Sequence, residues 1–490
     1  MVYLNLFITK FFRIIFLRDN SILKKGNHTL GERGKSMQKK NGIVFLAVSI
    51  VLLVSSQVSI QAQVIPGQYI VVLKDEVLNS DAVANELSIR HGLAKGHVYH
   101  TALKGFSARI PNSSLRALAA DPRVNYIEPD LIMNAIQNDN ASSDNGVVII
   151  GKPVRPTPTP APQVIPTGVR RINAFSSSTN MKTIDIAIID TGVSRTHPDL
   201  YVYKGVTILS GNVQEDAGND DNGHGSHVAG IAAALNNTIG VVGVAPGAGI
   251  WAVKVLFQNG SGYLSDIEKG IDWVTSHADE IDVANMSLGG TGSSNSLRTA
   301  LQNSVNAGIF YAVAAGNNYA DIYGGDGTMG TDDDFIPAAY PEVAAISALV
   351  DYDGLYGGLW STKKVKNDDT LASFSNYSRS VISENPVNSL GAAIDVAAPG
   401  VNIYSCYKGT NYATMSGTSM ASPHVAGVAA LYIAKYGRDF NEDGEIDAGD
   451  IKDLRQVIID NSEPQSEWGP SNTRDPDPNH EGLVNASLPE

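Results

Sequence analysis

Four runs constrain this chain more than any other feature: "TIDIAIIDTG" (183–192), "GIWAVKVL" (249–256), "DVANMSLGG" (282–290) and "IFYAVAAGN" (309–317). Each is apolar almost without interruption over the length of a strand, and each ends in glycine or a polar residue. A strand with one wet face alternates apolar and polar residues; a continuous run marks a strand buried on both faces. Ala/Gly-rich stretches of helical length separate the runs. Both faces of the sheet are then covered by helices, which predicts an α/β domain with a doubly wound, mostly parallel sheet. In such sheets the sites form at the carboxyl ends of the strands.

The chemistry-bearing residues fall there. Asp190 closes "DIAIID", where a carboxylate can accept an imidazole N–H and hold the ring in one tautomer. In "DNGHGSHVAGIAAAL", His224 stands between glycines just ahead of an Ala-rich helix, a position suited to a base that later acts as an acid. His227, three residues on, lies inside that helix and reads as structural. Asn317 ends "AVAAGN", where its amide N–H can face a developing oxyanion. Ser419, in "SGTSMASPHVAG", opens an apolar helix whose start favours negative charge. "GTSMA" loosely resembles the nucleophile elbow of the α/β-hydrolases, but those enzymes run Ser, Asp, His along the chain. Here the order is Asp, His, Ser, which excludes them.

Together these stretches resemble the subtilisin-like serine endopeptidases, the subtilases. "DTGVSRTHPDL" is similar to the family's aspartate motif, "NGHGSHVAG" to its histidine motif and "GTSMASPHVAG" to its serine motif. The likeness runs from about Gln163 to about Ser462 and implies a subtilisin-like fold. It also implies Asp190 as orienter, His224 as general base, Ser419 as nucleophile and Asn317 as oxyanion donor. Ser226 stands where threonine is commoner in the family. The resemblance places Ser287, Leu288, Gly289 and Gly290, with Ala314 and Gly316, beside the main specificity pocket. Phe335 falls at the pocket base, where a small residue is frequent, so a shallow pocket is expected. Val64 to Met133 resembles the family's inhibitory propeptide, so polypeptide substrates and the chain's own propeptide are the expected partners. "LNNTIGVVG" is similar to the family's tight calcium loop, which implies a Ca2+ site made by Gln163, Asp199, Leu235, Asn237, Ile239 and Val241.

Read by pattern alone, Val64 to Met133 is a compact α+β unit, expected to be ferredoxin-like, and 134–160, with "NDNASSDNG" and "RPTPTPAP", is an exposed linker. The peptidase domain is expected over 161–462 and a tail over 463–490. A second Ca2+ loop needs no family resemblance. "DFNEDGEIDAGD" puts oxygens of Asp439, Asn441, Asp443, Asp447 and Asp450 at positions 1, 3, 5, 9 and 12, with Glu445 at position 7 and Gly444 at position 6. The acidic runs 215–221 and 332–335 read as solvated faces. One such loop, unpaired, does not make a docking subunit.

Met37 begins a stretch with the layout of a signal peptide: Lys39 and Lys40, an apolar run from Ile43 to Val54, then a plausible cut after Ala62. The apolar run is short for a membrane span, so residues 1–62 are expected to direct secretion, with Met37 as the true start and no stable membrane insertion. From Ala161 on, 18 Lys+Arg face 39 Asp+Glu, a net charge of −21. That charge suits calcium and excludes nucleic acid as a partner. A single cysteine, Cys406, rules out an internal disulfide framework. The reading is a secreted, monomeric, calcium-stabilised serine endopeptidase made as a zymogen. The competing reading is a catalytically silent subtilase-fold binding protein.

Overall fold

Among the described residues one sheet has seven strands, one has ten and one has two. In the computed structural model the described residues are 62–136, 162–177, 181, 183–356, 368–468, 475, 476 and 478–487. The signal-peptide expectation, Met37 included, and most of the expected linker lie outside them.

The first sheet comes from strand β1 (Val64–Leu73), helix α1 (Ser80–His91), strands β2 (Ala94–Tyr99) and β3 (Gly105–Arg109), helix α2 (Asn112–Ala119) and strand β4 (Val124–Ala135). The strands pair antiparallel in the order β4-β1-β3-β2, the ferredoxin-like arrangement. Helix α1 starts where Asn79 accepts the Ala82 N–H and stops at Gly92, which takes the left-handed conformation at φ 64°. Strand β1 is apolar on successive residues because both of its faces are buried. Val71 and Leu73 pack with Leu87, Phe106 and Leu118 in a small core. Ile70 and Val72 face the other way, into the core of the larger domain. Strand β2, "AKGHVY", carries no apolar pattern, and only its pairing with β3 defines it.

The larger sheet draws on helix α3 (Thr167–Arg171), strands β5 (Asp185–Asp190), β6 (Val202–Leu209) and β7 (Asn212–Glu215), helix α4 (His224–Ala233) and strand β8 (Gly249–Lys254). Strand β9 (Ser261–Tyr263), helix α5 (Leu264–Thr275), strands β10 (Val283–Met286) and β11 (Leu288–Thr291), helix α6 (Asn295–Asn306) and strand β12 (Phe310–Ala314) follow. Then come β13 (Phe335–Ile336), β14 (Ala344–Val350), β15 (Thr370–Leu371), β16 (Val396–Pro399), β17 (Ile403–Tyr407) and β18 (Asn411–Met415). Helices α7 (Thr418–Tyr436) and α8 (Ala448–Asp460) precede the last strand, β19 (Gly482–Leu483). The order β19-β16-β14-β12-β10-β5-β8-β6-β7 is parallel except for β7, and β15 adds antiparallel to β14. The four apolar runs supply β5, β8, β10 and β12 of this sheet, and the third run continues into β11, which pairs with β4 and β13 instead. Helix α4 packs on α7, and α5 packs on α6. Among the described residues no helix is long and apolar enough to cross a membrane.

Two expected boundaries move. Strand β4 does not stop at Met133: Asn134 and Ala135 pair with Gly289 and Leu288, and Ile132 to Asn134 pair with Tyr263 to Ser261 on the other edge. The expected linker therefore loses its first residues to a strand. At the other end, 463–490 is no separate tail. Strand β19 pairs with β16, Trp468 is fully buried, and Val484 and Ala486 join the core because the sheet's edge needs apolar cover.

Helix α8 is fastened by one ion pair. Arg455 donates to both oxygens of Asp395, at 2.9 and 3.0 Å, and to the Pro341 carbonyl at 2.7 Å, with both charged side chains 3% exposed. Burial pushes Asp395 up while Arg455 pulls it down. Removing the cation leaves a buried carboxylate alone, so Arg455→Met is expected to cost about 3–5 kcal/mol. The midpoint of denaturant unfolding checks this.

Candidate active site

Strand β5 ends in the middle of the sheet, so Asp190 emerges at its mouth fully buried. Its two oxygens accept the Nδ1–H of His224 at 2.8 and 2.9 Å. The ring is also fully buried. Burial alone would depress its pKa; the Asp190 charge and hydrogen bond outweigh that, Asp220 adds to them, and the result is raised. Glycine is required ahead of the ring: Gly223 has φ 121°, and a Cβ there would lie 2.2 Å from the Tyr407 ring. His227 donates toward the Ile403 and Ala413 carbonyls and is depressed to about 3 by burial, as a structural histidine should be.

Asp220 was missed in the sequence, where it sits in an acidic run that reads as a solvated face. It is 5% exposed. One oxygen accepts from Thr191 Oγ1 and from the Asn222 and Gly223 amides; the other accepts from the Ser226 amide and hydroxyl, all at 2.7–3.0 Å. Thr191 follows Asp190, and Gly223 precedes His224. One carboxylate therefore clamps the approach to both. Glycines and aspartates at that spacing gave no sign of it, because the Thr191 hydroxyl and the donors of 222–226 meet Asp220 only on folding.

Ser419 lies in the first turn of α7. Pro423 sits four residues on and has no N–H to give the Ser419 carbonyl; the Ser287 hydroxyl supplies the missing bond at 2.9 Å. Asn285 and Ser422 steady that turn through an Nδ2–Ser287 Oγ bond of 2.9 Å and a Ser422 Oγ–Oδ1 bond of 2.8 Å. The Asn317 oxygen accepts from Thr418 N and Oγ1 at 2.9 and 3.0 Å. That fixes which way the amide faces, and its Nδ2 is left buried without a partner.

The expected Ser–His hydrogen bond is absent. Ser419 Oγ donates instead to the Ile136 carbonyl, with the Ser287 carbonyl 3.1 Å away. His224 Nε2 is buried and unpartnered. The reason is the chain itself: β4 runs between β9 and β11, the Ala135 amide reaches the Gly260 carbonyl at 2.8 Å, and the Ile136 amide reaches the Ser287 carbonyl at 3.1 Å. A peptide carbonyl thus rests on the serine hydroxyl, while the His224 and Asn317 side-chain nitrogens stay without partners. Of the expected substrate residues, Leu288 and Gly289 pair with this strand, and Gly290 lies beside the Met133 sulfur, where a Cβ would come within 3.0 Å of it. The Phe335 ring closes against both pocket walls: a Cβ on Gly289 would lie 2.7 Å from it, and one on Gly316 2.9 Å. Ala314 ends the intervening strand, fully buried.

With that geometry in place, comparison with known proteins is decisive. Residues 181–481 match the Subtilase family and residues 68–135 match Peptidase inhibitor I9. This chain belongs to the subtilase family. It is 34% identical to a thermostable alkaline protease of Halalkalibacterium halodurans, over 75% of this chain and 82% of that one. It is 40% identical to subtilisin DY of Bacillus licheniformis, over 56% of this chain and 86% of that one. A solved cold-adapted subtilisin-like serine proteinase is 27% identical, over 66% of this chain and 98% of that one, with a TM-score of 0.47. This subtilase is a serine endopeptidase made as a zymogen, with the I9 segment as its intramolecular inhibitor.

The subtilase's expected metal ligands fall into two groups. Gln163 donates from its amide to the Leu235 and Val241 carbonyls at 2.7 and 3.1 Å. Asn237 and the Val241 amide hold Asp199 at 2.8 Å each, and the Ile239 amide bonds the Asn237 oxygen. Burial raises the Asp199 pKa. Gln163 and Asn237 both present amide nitrogens here, and turning the two amides over makes this a cluster of oxygens, which fits a hard cation. The loop 439–450 keeps its carboxylates differently. Asp439 accepts the Gly444 amide with one oxygen and leaves the other buried and unpartnered; Asn441 and Asp443 accept amides two residues on, as does Asp447. Glu445 is exposed. Asp450 departs from its expected role as the closing ligand: it is fully buried, and its oxygens accept the Phe440, Asn441 and Asp447 amides.

The charge balance at the imidazole is testable directly. His224 faces the carboxylates Asp190 and Asp220 and the neutral His227; Lys254 lies one layer out, held by the Thr191 carbonyl and Asp221. Because a carboxylate raises the pKa by favouring the protonated ring, Asp220→Asn is expected to lower it and Asp190→Asn to lower it further. An NMR titration of the His224 ring in the intact Ser419→Ala chain reads both shifts.

Proposed function

We propose that Ser419, His224 and Asp190 act as nucleophile, general base and orienter, with Asn317 Nδ2 and the Ser419 amide binding the oxyanion. Ser419 Oγ attacks the peptide carbonyl while His224 Nε2 takes its proton. Asp190 holds the ring with Nε2 facing the serine and stabilises the imidazolium. Negative charge grows on the carbonyl oxygen, and Asn317 Nδ2, otherwise unpartnered in a buried site, has a donor ready for it. The imidazolium then protonates the leaving amine, and water releases the acyl group by the same steps in reverse roles. The observation that carries this reading is the Ile136 carbonyl on the Ser419 hydroxyl, laid there by a strand paired on both edges as an extended substrate would be.

The same contact supports maturation by cleavage after Ile136, within the junction between propeptide and peptidase. The released segment keeps its contacts: Glu128 caps the start of α6 through the Ser294 hydroxyl and the Asn295 and Ser296 amides, and Asp130 bonds the Ser265 amide at the start of α5. Such contacts suit an inhibitor that remains after the cut. Secretion follows from the Met37–Ala62 layout, and the acidic surface suits a monomer that stays soluble outside the cell. We assign a structural Ca2+ to Gln163, Asp199, Asn237 and the Leu235, Ile239 and Val241 carbonyls, and a second to 439–450 through Asp439, Asn441, Asp443 and Asp447. The metal would staple a fold that has no disulfide; none of the chemical steps passes through it.

Three outcomes test this. The secreted protein is expected to begin at Gln137 by N-terminal sequencing, and Ser419→Ala to remain full length. Asn317→Ala is expected to lower kcat by roughly 10²–10³, the size known for such a donor in subtilisin, a member of this family. Phe335→Gly is expected to raise kcat/KM for Phe or Tyr before the scissile bond relative to Ala, because the ring fills the space between Gly289 and Gly316. A profile in which the parent already prefers Phe or Tyr would remove Phe335 as the pocket floor.

A further inference from the structure

Strand β14 ends at Val350, Asp351 follows it, and the chain turns at once through Tyr352, Asp353 and Gly354. The pairing of Val350 with Thr370, and the Asp369 amide on the Val350 carbonyl at 2.8 Å, bring the segment before β15 alongside this turn. Three carboxylates meet as a result. Asp351, Asp353 and Asp368 each offer an oxygen, and these oxygens lie within 4.8 Å of one another. They are not a loose surface cluster: Asp351 and Asp368 are each 1% exposed, and only Asp353 reaches solvent. Backbone amides fix all three, Gly354 on Asp351 and Tyr352 on Asp368 at 2.8 Å, and Leu355 on Asp353 at 2.9 Å. Gly354 must be glycine, at φ 74° with the Thr167 carbonyl 3.0 Å from where a Cβ would sit.

A second observation concerns what these groups lack. Asp351 Oδ2 is buried and has no hydrogen-bond partner. A buried carboxylate oxygen without a donor is costly. Burial, and then Asp368, drive Asp351 up to about 6, against the Gly354 amide and the nearby Thr167 hydroxyl and Arg171 guanidinium. Arg171 does not relieve it, because that guanidinium is committed to Asp369 at 2.8 Å and to both oxygens of Glu463 at 2.8 and 2.9 Å.

We propose that Asp351, Asp353 and Asp368 bind one calcium ion, separate from the Gln163 cluster and from 439–450. All the donors are hard oxygens. Two oxygens held at about 2.3–2.6 Å from one ion lie at most about 5 Å apart, a span that contains the observed spacing. A proton on Asp351 would satisfy one oxygen and leave the other carboxylates facing each other. The ion ties the end of β14 to the segment entering β15, next to the anchor of helix α3.

The test uses the full chain carrying Ser419→Ala, which keeps it intact. Calcium per chain is counted by elemental mass spectrometry after dialysis at fixed free calcium, and Tm is measured with calcium and with chelator. Asp351→Asn and Asp353→Asn are each expected to lose one calcium per chain and part of the calcium-dependent rise in Tm. An unchanged count overturns the proposal, as does an Asp351→Asn chain stabilised equally with and without calcium, which would mean that only a proton or repulsion resides there. Asp353 is half exposed, so Asp353→Asn gives the count even if Asp351→Asn does not fold.

Discussion

The structure turns on the main-chain bonds that lay residues 132–136 between β9 and β11. Those bonds carry no side-chain information, yet they fix the register in which Ile136 arrives at Ser419. A shift of one residue would turn every side chain of that strand to the opposite face and carry a different carbonyl away from the hydroxyl. The larger domain is built to receive such a strand. Its parallel sheet opens at the carboxyl ends of β5 and β12, and the first turn of α7 is pinned against them by Asn285 and Ser287. The propeptide sheet continues into the receiving strands, so inhibitor and enzyme share one hydrogen-bonded surface.

Inside that surface, charge is distributed unevenly and held by geometry. Asp190 accepts the imidazole N–H with both oxygens, and Asp220 takes five bonds from the Thr191 and Ser226 hydroxyls and the Asn222, Gly223 and Ser226 amides. The ring is thereby oriented without any flexible cation near it. Elsewhere the fold relies on buried ion pairs, Arg455 with Asp395 and Arg171 with Asp369 and Glu463, in a chain whose single thiol is buried.

Much of this was legible in the residues. Continuous apolar runs pointed to β5, β8, β10 and β12, and the structure places Asp190 and Asn317 at or just past strand ends and His224 and Ser419 in first helical turns, where the sequence had them. What stayed hidden depended on contacts between distant segments. Strand β2 lacks a pattern because its neighbours, not its own composition, hold it. Asn134 and Ala135 looked like the start of a polar linker because their pairing partners lie more than 120 residues away. Asp220 looked like surface because its donors converge only on folding. Asp450 looked like a ligand, since the spacing of its loop is right, but its short side chain reaches the backbone of its own loop instead. Trp468 and β19 were read as tail for want of any local sign that a sheet edge awaited them.

On the proposed reading Ser419 cuts the chain laid across it and, once that segment has left, serves as the nucleophile toward other polypeptides. Titration of the processed protein with a serine-directed phosphonate, followed by peptide mapping, addresses it directly. One phosphonyl group per chain is expected, on the peptide that contains Ser419, with loss of peptidase activity in step. Label confined to another residue, or full activity in a chain whose Ser419 stays unmodified, would contradict it.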